Sequence, residues 1–409
     1  MRIEPLGDLG SAPRVLGAVA DAAARRGLPP PAALIGDWFG SEAVIAPSLA
    51  AKAVCVGDVF DVAPGASSGV VGGGWFGYRS YPDAGADGRP PRIPEAAGGW
   101  ADSVLRRDLD GQWWYESLSS AQLPGWVGQA LRKPATPRGA EISWDGADRA
   151  AHRGGVSKCL DAIAAGEVYQ ACVCTQFSGT VTGRPLDFFV DTVSRTTPAQ
   201  AAFIAGPWGA VASLSPESFL RRHGDRVTSS PIKGTLPRCA DPAALQRSVK
   251  DVAENIMIVD LVRNDLGRVA ATGSVTVPSL LDVRPAPGVW HLVSTVSARV
   301  AAELPMRHLL DATFPPASVT GTPKTRARGL LSRWEPRRRG IFCGTIGLAS
   351  PVAGCELNVA IRTVEFDAHG RAVLGVGGGI TADSDPDDEW SECLHKAAPI
   401  VGQLSAAVR

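Results

Sequence analysis

The sequence predicts a mixed α+β fold with several antiparallel connections. Three observations carry that expectation. Residues 1–140 read as short apolar runs separated by Gly- and Pro-rich turns, which is the pattern of strands. Beyond about residue 145 the apolar spacing lengthens to helical periods. Two strand-like runs, 355–366 and 371–380, then flank the turn Asp367-Ala368-His369-Gly370, the spacing of a hairpin.

Taken in order, Ala43–Ala46, Ala53–Val56 and Gln112–Tyr115 alternate or cluster apolar residues as strands do. The run Gly72-Gly73-Gly74-Trp75-Phe76-Gly77-Tyr78 lacks the Lys-Ser/Thr and the helix that follow a phosphate loop, so it reads as close backbone packing. A Pro/Gly loop covers 82–99, and the Pro-rich stretch 133–139 marks an internal boundary between residues 1–140 and 141–409. Asp148 to Ala165 reads as a helix closed by Gly166, and Val168 to Phe177 as the strand after it. Residues 241–271 read as one long helix opened by Asp241-Pro242, where Asp can cap and Pro can occupy the first turn. The last helix starts at Asp385-Pro386 and runs towards Val408.

Lys+Arg and Asp+Glu both total 41 in 409 residues, so no global field recruits nucleic acid or an anionic membrane. The start, Met1-Arg2 running into Pro5, Gly7 and Asp8, is not a signal peptide, and no run has the roughly 20 apolar residues of a spanning helix. Eight scattered cysteines without a CxxC pair read as reduced, buried thiols of a cytoplasmic protein.

An anionic ligand must therefore meet a local cluster. Asp251 with Glu254, and Glu389 with Glu392, each place two carboxylates three apart on one helix face. Alone, each pair reads as a solvated face; two such faces meeting would make an oxygen-rich site of the kind Mg²⁺ accepts. Lys396 lies one turn beyond Glu392, a cation beside the carboxylates. In Pro231-Ile232-Lys233-Gly234-Thr235, a lysine sits between stiff and permissive backbone, and Gly234-Thr235 offers N–H groups to an anion. A solvated turn is the ordinary alternative; a nucleophilic role needs Lys233 partly desolvated. The Gly377-Gly378-Gly379 run lets backbone approach a ligand, Arg362 can present its fork to a carboxylate, and His291 reads on its own as a satisfied core histidine.

These clusters, in this order, resemble the chorismate-utilising enzymes: anthranilate synthase component I, aminodeoxychorismate synthase component I, and the isochorismate and salicylate synthases. The likeness runs from about Gly166 to Lys396. It includes GEVYQACVCTQF, SLSPESFL, PIKGTLPR, AENIMIVDLVRNDLGRV, VWHLVSTV, FPPASVTGTPKTRA, RRGIFCGTIG, NVAIRT and GGGITADSDPDDEWSECLHKA. The resemblance implies two β-sheets packed face to face with helices outside, residues 1–140 forming a divergent part of that fold. It implies Mg²⁺ held by Glu254 and Glu392 with Asp251 and Glu389 nearby. It implies that Arg362 and Lys396 hold chorismate carboxylates with backbone around Gly234, Thr235, Thr320, Gly378 and Gly379. His291 would lie beside the ring, and Glu217 would act as general acid on the leaving C4 hydroxyl with a pKa raised by burial or carboxylate neighbours.

Two positions select a branch. PIKGT resembles the aminodeoxychorismate branch, where Lys233 is the implied nucleophile at C2; the anthranilate branch usually has Ala there. Gln170 stands where water-using isochorismate and salicylate synthases carry a lysine, so ammonia is the implied nucleophile at C4. No Cys-His-Glu glutaminase pattern is visible, and the resemblance implies a separate glutaminase partner. The product would serve p-aminobenzoate formation, for folate or for an antibiotic. The chain departs from the family at Leu348, where Tyr is usual and contributes a hydroxyl to the substrate, and at Pro316-Ala317, where Gly-Gly is usual. Altered affinity, a rebuilt pocket or partial loss of function is the expected consequence, and the alternatives are an anthranilate synthase component I or a non-catalytic chorismate-binding regulatory subunit.

Overall fold

A computed structural model describes residues 1–83, 90–133 and 139–402. The centre of the Pro-rich connection, part of the 82–99 loop and the end of the last helix near Val408 lie outside the described residues. Among those described, two antiparallel sheets of 12 and 10 strands dominate. The larger runs Arg2–Gly7, Trp113–Ser117, Ser103–Arg107, Ser41–Ala46, Ala32–Trp38, Gln200–Gly206, Gly209–Ser215, Thr363–Asp367, Arg371–Ile380, Gln170–Thr182 and Gly321–Thr322, with Glu141–Trp144 beside Gln170–Thr182. The smaller runs Ile232–Pro237, Val289–Arg299, Arg226–Ser229, Ser218–His223, Gly354–Asn358, Thr345–Ser350, Gly74–Arg79, Ala96–Ala101 and Lys52–Ala53, with Thr276–Ala286 beside Val289–Arg299. Strands from before and after residue 140 share both sheets.

The period-two alternation of strands divides the cores. Ala32, Leu34, Ala202 and Ile204 face inward, where they meet Phe76, Tyr78, Ile346 and Leu348 of the smaller sheet. Their neighbours Ala33, Ile35, Ala201 and Phe203 face outward beneath helices, against Val15, Leu16, Phe189 and Val193. The smaller sheet's outer face is covered by Ile258, Val259, Val262, Leu309 and Leu310. Both faces of the central strands are thus buried, which is why those segments read as continuous apolar runs. The segment at 72–78 is closely packed, as expected: a Cβ at Gly74 would lie 2.2 Å from the Ala349 carbonyl oxygen.

Several expected elements are corrected. Residues 12–25 form a helix, Ala12–Arg25, where short strands were expected; Val15, Leu16 and Val19 recur at helical spacing and mark its buried core face. At 53–56 only the short strand Lys52–Ala53 forms, followed by a turn of 3₁₀ helix at Val56–Asp58. The single helix expected over 241–271 is two, Ala243–Arg247 and Val249–Gly267. Ser248 is extended between them, and its hydroxyl accepts from the Asp251 N–H, capping the second. The strand expected over 355–366 divides into Gly354–Asn358 in the smaller sheet and Thr363–Asp367 in the larger. The chain crosses between sheets at 359–362, and Arg362 sits at that crossing with φ of 50°, not on a strand.

Candidate active site

The crossing opens onto a cavity of about 750 Å³ between the ends of the two sheets. Its walls come from the strand Ile232–Pro237, the helices Val249–Gly267 and Pro386–Val401, the crossing at Ile361-Arg362, and the strand Arg371–Ile380 at Gly375 to Gly379. Lys233, Gly234, Thr235, Asp251, Glu254, Glu217, His291, Arg362, Gly378, Gly379, Glu392 and Lys396 all line it.

Lys233 reaches the cavity through a register change. Ile232 pairs with Val293 and Thr235 with His291, so three steps on one strand oppose two on the other. The surplus is a bulge, which re-aims a side chain out of the ladder. Gly234 takes φ of 83° there, a conformation that strains any larger residue, and a Cβ would press on Asp251 and Leu245 at 3.1 Å. Lys233 is mostly buried, and its Nζ lies 3.5 Å from Glu254 Oε2.

The two acidic helix faces do meet across the cavity, with Glu254 on one and Glu392 on the other. Asn255 fastens the first helix to the strand carrying His291: its Nδ2 donates to the Leu292 carbonyl, and its Oδ1 accepts from Ser294. Glu392 Oε1 accepts from Lys396 Nζ at 2.6 Å, and the same ammonium donates to the Gly377 carbonyl at 2.8 Å. Burial opposes the Lys396 charge, but Glu392 outweighs it and raises the pKa. Burial likewise raises the Glu392 pKa, yet Lys396 with Lys250 and Lys233 brings it below the ordinary value. Glu389 is buried behind this pair; desolvation raises its pKa against a hydrogen bond from Ser384. Glu254 Oε1 and Glu389 Oε2 are buried without a hydrogen-bond partner. Orphaned carboxylate oxygens suit a hard cation that completes its shell with water and substrate oxygen. No three His, Cys, Asp or Glu side chains converge into a closed cage among the described residues.

Glu217 is buried on the opposite side, its carboxyl raised to about 7 by desolvation. Hydrogen bonds from Ser318 and the Ile232 backbone, and the Lys233 charge, pull it partly back. The shift is due to burial; no carboxylate neighbour contributes. His291 Nδ1 lies 2.9 Å from Thr235 Oγ1, and burial followed by the Arg362 charge lowers its pKa, so it is mainly neutral at pH 7. Arg362 is exposed to the solvent of the cavity, while the surrounding protein lowers its pKa by desolvation.

Three expected residues stand outside the wall. Thr320 is fully buried, its hydroxyl donating to the Pro316 carbonyl, and Ser318 and Val319 line the cavity in its place. Glu389 and Gln170 lie just behind the glycine run. A Cβ on Gly379 would sit 3.1 Å from Lys233 Nζ and 3.3 Å from Gln170 Oε1, so these polar atoms flank one glycine. Gln170 Oε1 is a buried acceptor without a partner. Leu348 is packed in the inter-sheet core and does not line the cavity, so this replacement leaves the wall intact. Lys250, Ser318 and His395 are cavity residues not singled out from the sequence. Ser318 ends the FPPAS run and so lies within a quoted motif, whereas Lys250 only adjoins Asp251. All eight cysteines are free; Cys55 and Cys239 are exposed, unlike the buried thiols expected.

Backbone excludes a side chain from the glycine run at Gly377, where a Cβ would lie 2.5 Å from the Val173 carbonyl oxygen. A Cβ on Gly378 would lie 2.7 Å from Glu389 Oε2. Gly378→Ala is expected to destabilise the fold by about 1–3 kcal/mol through overpacking and to displace that carboxylate. Thermal melting checks it; an unchanged melting temperature would show that Glu389 yields without strain.

The family model for chorismate binding enzymes matches residues 56–402. The aminodeoxychorismate synthase component 1 of Klebsiella aerogenes is 45% identical over 249 residues, 59% of this chain and 55% of that one. This chain thus spans about half the length of that curated relative. The anthranilate synthase component 1 of Thermus thermophilus is 33% identical over 329 residues, 79% of this chain and 67% of that protein. The crystal structure of anthranilate synthase component I from Streptococcus pneumoniae superimposes with a TM-score of 0.71 at 24% identity, covering 98% of this chain and 92% of that one. That likeness establishes the shared fold, with its two packed sheets and outer helices.

Proposed function

The chain belongs to the family of chorismate binding enzymes, and from that premise we propose that it aminates chorismate to 4-amino-4-deoxychorismate. The observation that carries this reading is Lys233, directed by the bulge into the cavity beside Glu254, Gly379 and Gln170. Similarity to the aminodeoxychorismate synthase component 1 of K. aerogenes supports the same branch.

Glu254 and Glu392 hold a Mg²⁺ ion, with Asp251 on the wall beside Glu254 and Glu389 behind the glycine run. When bound, the ion supplies positive charge that offsets the dianionic substrate and helps to orient it. Arg362 and the glycine-run backbone hold substrate carboxylates, and neutral His291 packs beside the ring. Lys233, having passed its ammonium proton to water, attacks C2 as an amine; both ring double bonds shift and the C4–O bond breaks. Glu217 gives its proton to the departing oxygen, which leaves as water. Ammonia then bonds to C4, both ring double bonds return, the C2–N bond breaks, and the surplus proton goes back to the Glu217 carboxylate. Gln170, an amide, has no basic group with which to activate water in competition. A separate glutaminase supplies the ammonia from glutamine, and the product leads to p-aminobenzoate for folate synthesis.

The test is incubation with chorismate, Mg²⁺ and ammonium. Aminodeoxychorismate, converted to p-aminobenzoate by an added lyase, is the expected product. Removal of divalent metal by a chelator is expected to abolish turnover, and Mg²⁺ to restore it. Full turnover in chelator would eliminate the metal from the reaction. Similarity to the T. thermophilus anthranilate synthase component 1 supports a second reading. Fluorescent anthranilate formed directly would establish that one instead. Among the described residues no helix is long and apolar enough to cross a membrane.

A further inference from the structure

The cavity wall carries four lysine and arginine side chains: Lys233, Lys250, Arg362 and Lys396. Two are committed to the protein's own carboxylates, Lys233 beside Glu254 and Lys396 on Glu392. Lys396 is further tied by its bond to the Gly377 carbonyl. Lys250 and Arg362 have no ion-pair partner among the described residues.

We propose that Lys250 binds one carboxylate of the dianionic substrate directly, with Arg362 binding the other. This inference rests on the reading of chorismate as substrate. Lys250 stands in the first turn of the helix Val249–Gly267, fixed by the Ser248 cap, whereas Arg362 stands at the crossing between the sheets. The two free cations therefore enter from different walls, as recognition of two separate carboxylates requires. Lys250 is spaced i,i+4 from Glu254 on that helix, where a pair could form. Glu254 instead turns one oxygen to Lys233 and leaves the other unpartnered, and Lys250 is exposed. The charge of Lys250 is felt at Glu389 and Glu392 without contact with either. A flexible, well-hydrated ammonium near the open side of a cavity is suited to capturing a carboxylate as it enters.

Such a contact acts equally on bound substrate and transition state, so its loss appears in KM and not in kcat. Lys250→Met is expected to raise KM for chorismate about tenfold or more, with kcat within about twofold, because a charge-assisted hydrogen bond is removed. Lys250→Arg is expected to recover most of the affinity. The measurement is made at roughly 0.05 M and 0.5 M salt, since direct contact survives screening whereas a distant field does not. An unchanged KM, or a rise confined to low salt, would overturn the assignment. A parent protein that does not turn over chorismate would sink the activity reading separately. Calorimetric binding of chorismate to parent and Lys250→Met would still decide the role of Lys250.

Discussion

Lys233→Ala is expected to eliminate chorismate amination, lowering kcat by at least about a thousandfold, because the variant has no group to form the bond at C2. The fold should survive, since Lys233 lies on a bulge outside the regular ladder and contacts Glu254 across open cavity. Removing the ammonium leaves Glu254 with both oxygens unpaired, because Oε1 already lacks a partner. Metal affinity in the absence of substrate should therefore rise, as the carboxylate loses its competing cation. The pair of outcomes distinguishes a nucleophile from a structural counter-ion. Calorimetry with Mg²⁺ reads the second effect, and chorismate consumption reads the first. Turnover within tenfold of the parent would remove Lys233 from the chemistry.

Glu217→Gln is expected to lower kcat by about 10²–10⁴, the usual contribution of a positioned general acid. The parent's rate should fall as pH rises through about 7, where the buried carboxyl loses its proton. The variant should lack that alkaline limb. Stability gives an independent reading of the same group. An unfolded Glu217 ionises near 4.5, whereas burial holds the folded one to about 7. The protonated, folded form is therefore fully favoured below 4.5, and this contribution is lost as pH rises to about 7. The loss amounts to ~3 kcal/mol, at 1.36 kcal/mol for each unit. Glu217→Gln cannot ionise, so it should match the parent's stability near pH 4 and exceed it by up to about that amount near pH 8. Urea unfolding at the two pH values checks this. Equal stabilities at both would mean that the carboxyl is not held protonated by burial.

The cavity that unites these groups was only partly legible in the sequence. The i,i+3 acidic pairs could be placed on helix faces because helical spacing is a local property, and the two faces do meet. Asp148 and Asp385 announced helix starts, and both cap the helices that follow. The break at Ser248 is not legible because helix-compatible residues continue across it, and only the extended backbone of Ser248 separates the segments. Arg362 reads as part of a strand because 355–366 contains no Gly or Pro, although the apolar phase changes from odd to even positions at Arg362-Thr363. Its positive φ arises where the chain changes sheets, a constraint set by distant strands. Gln170, Glu389 and Thr320 were assigned to the cavity, but each stands behind or outside its wall. Lys250 is not legible beside Asp251, because a lysine on a helix gives no local sign of facing a cavity.

What the sequence determined by itself was the chemistry available: the lysine in its Pro-Gly setting, the paired carboxylates, the glycine run and the motifs that place the chain in its family. These rest on residue identity and short spacing, which folding does not change. Tertiary structure alone decided which charges are spent on one another and which remain for a ligand. Lys233 with Glu254 is joined by the packing of a strand against a helix, whereas Lys396 with Glu392 is an i,i+4 pair that helical spacing already places on one face. It also decided the state of Glu217, whose raised pKa comes from burial between elements far apart in the chain. Desolvation and ion pairing depend on distances of a few ångströms in space, and no local pattern of residues encodes those distances.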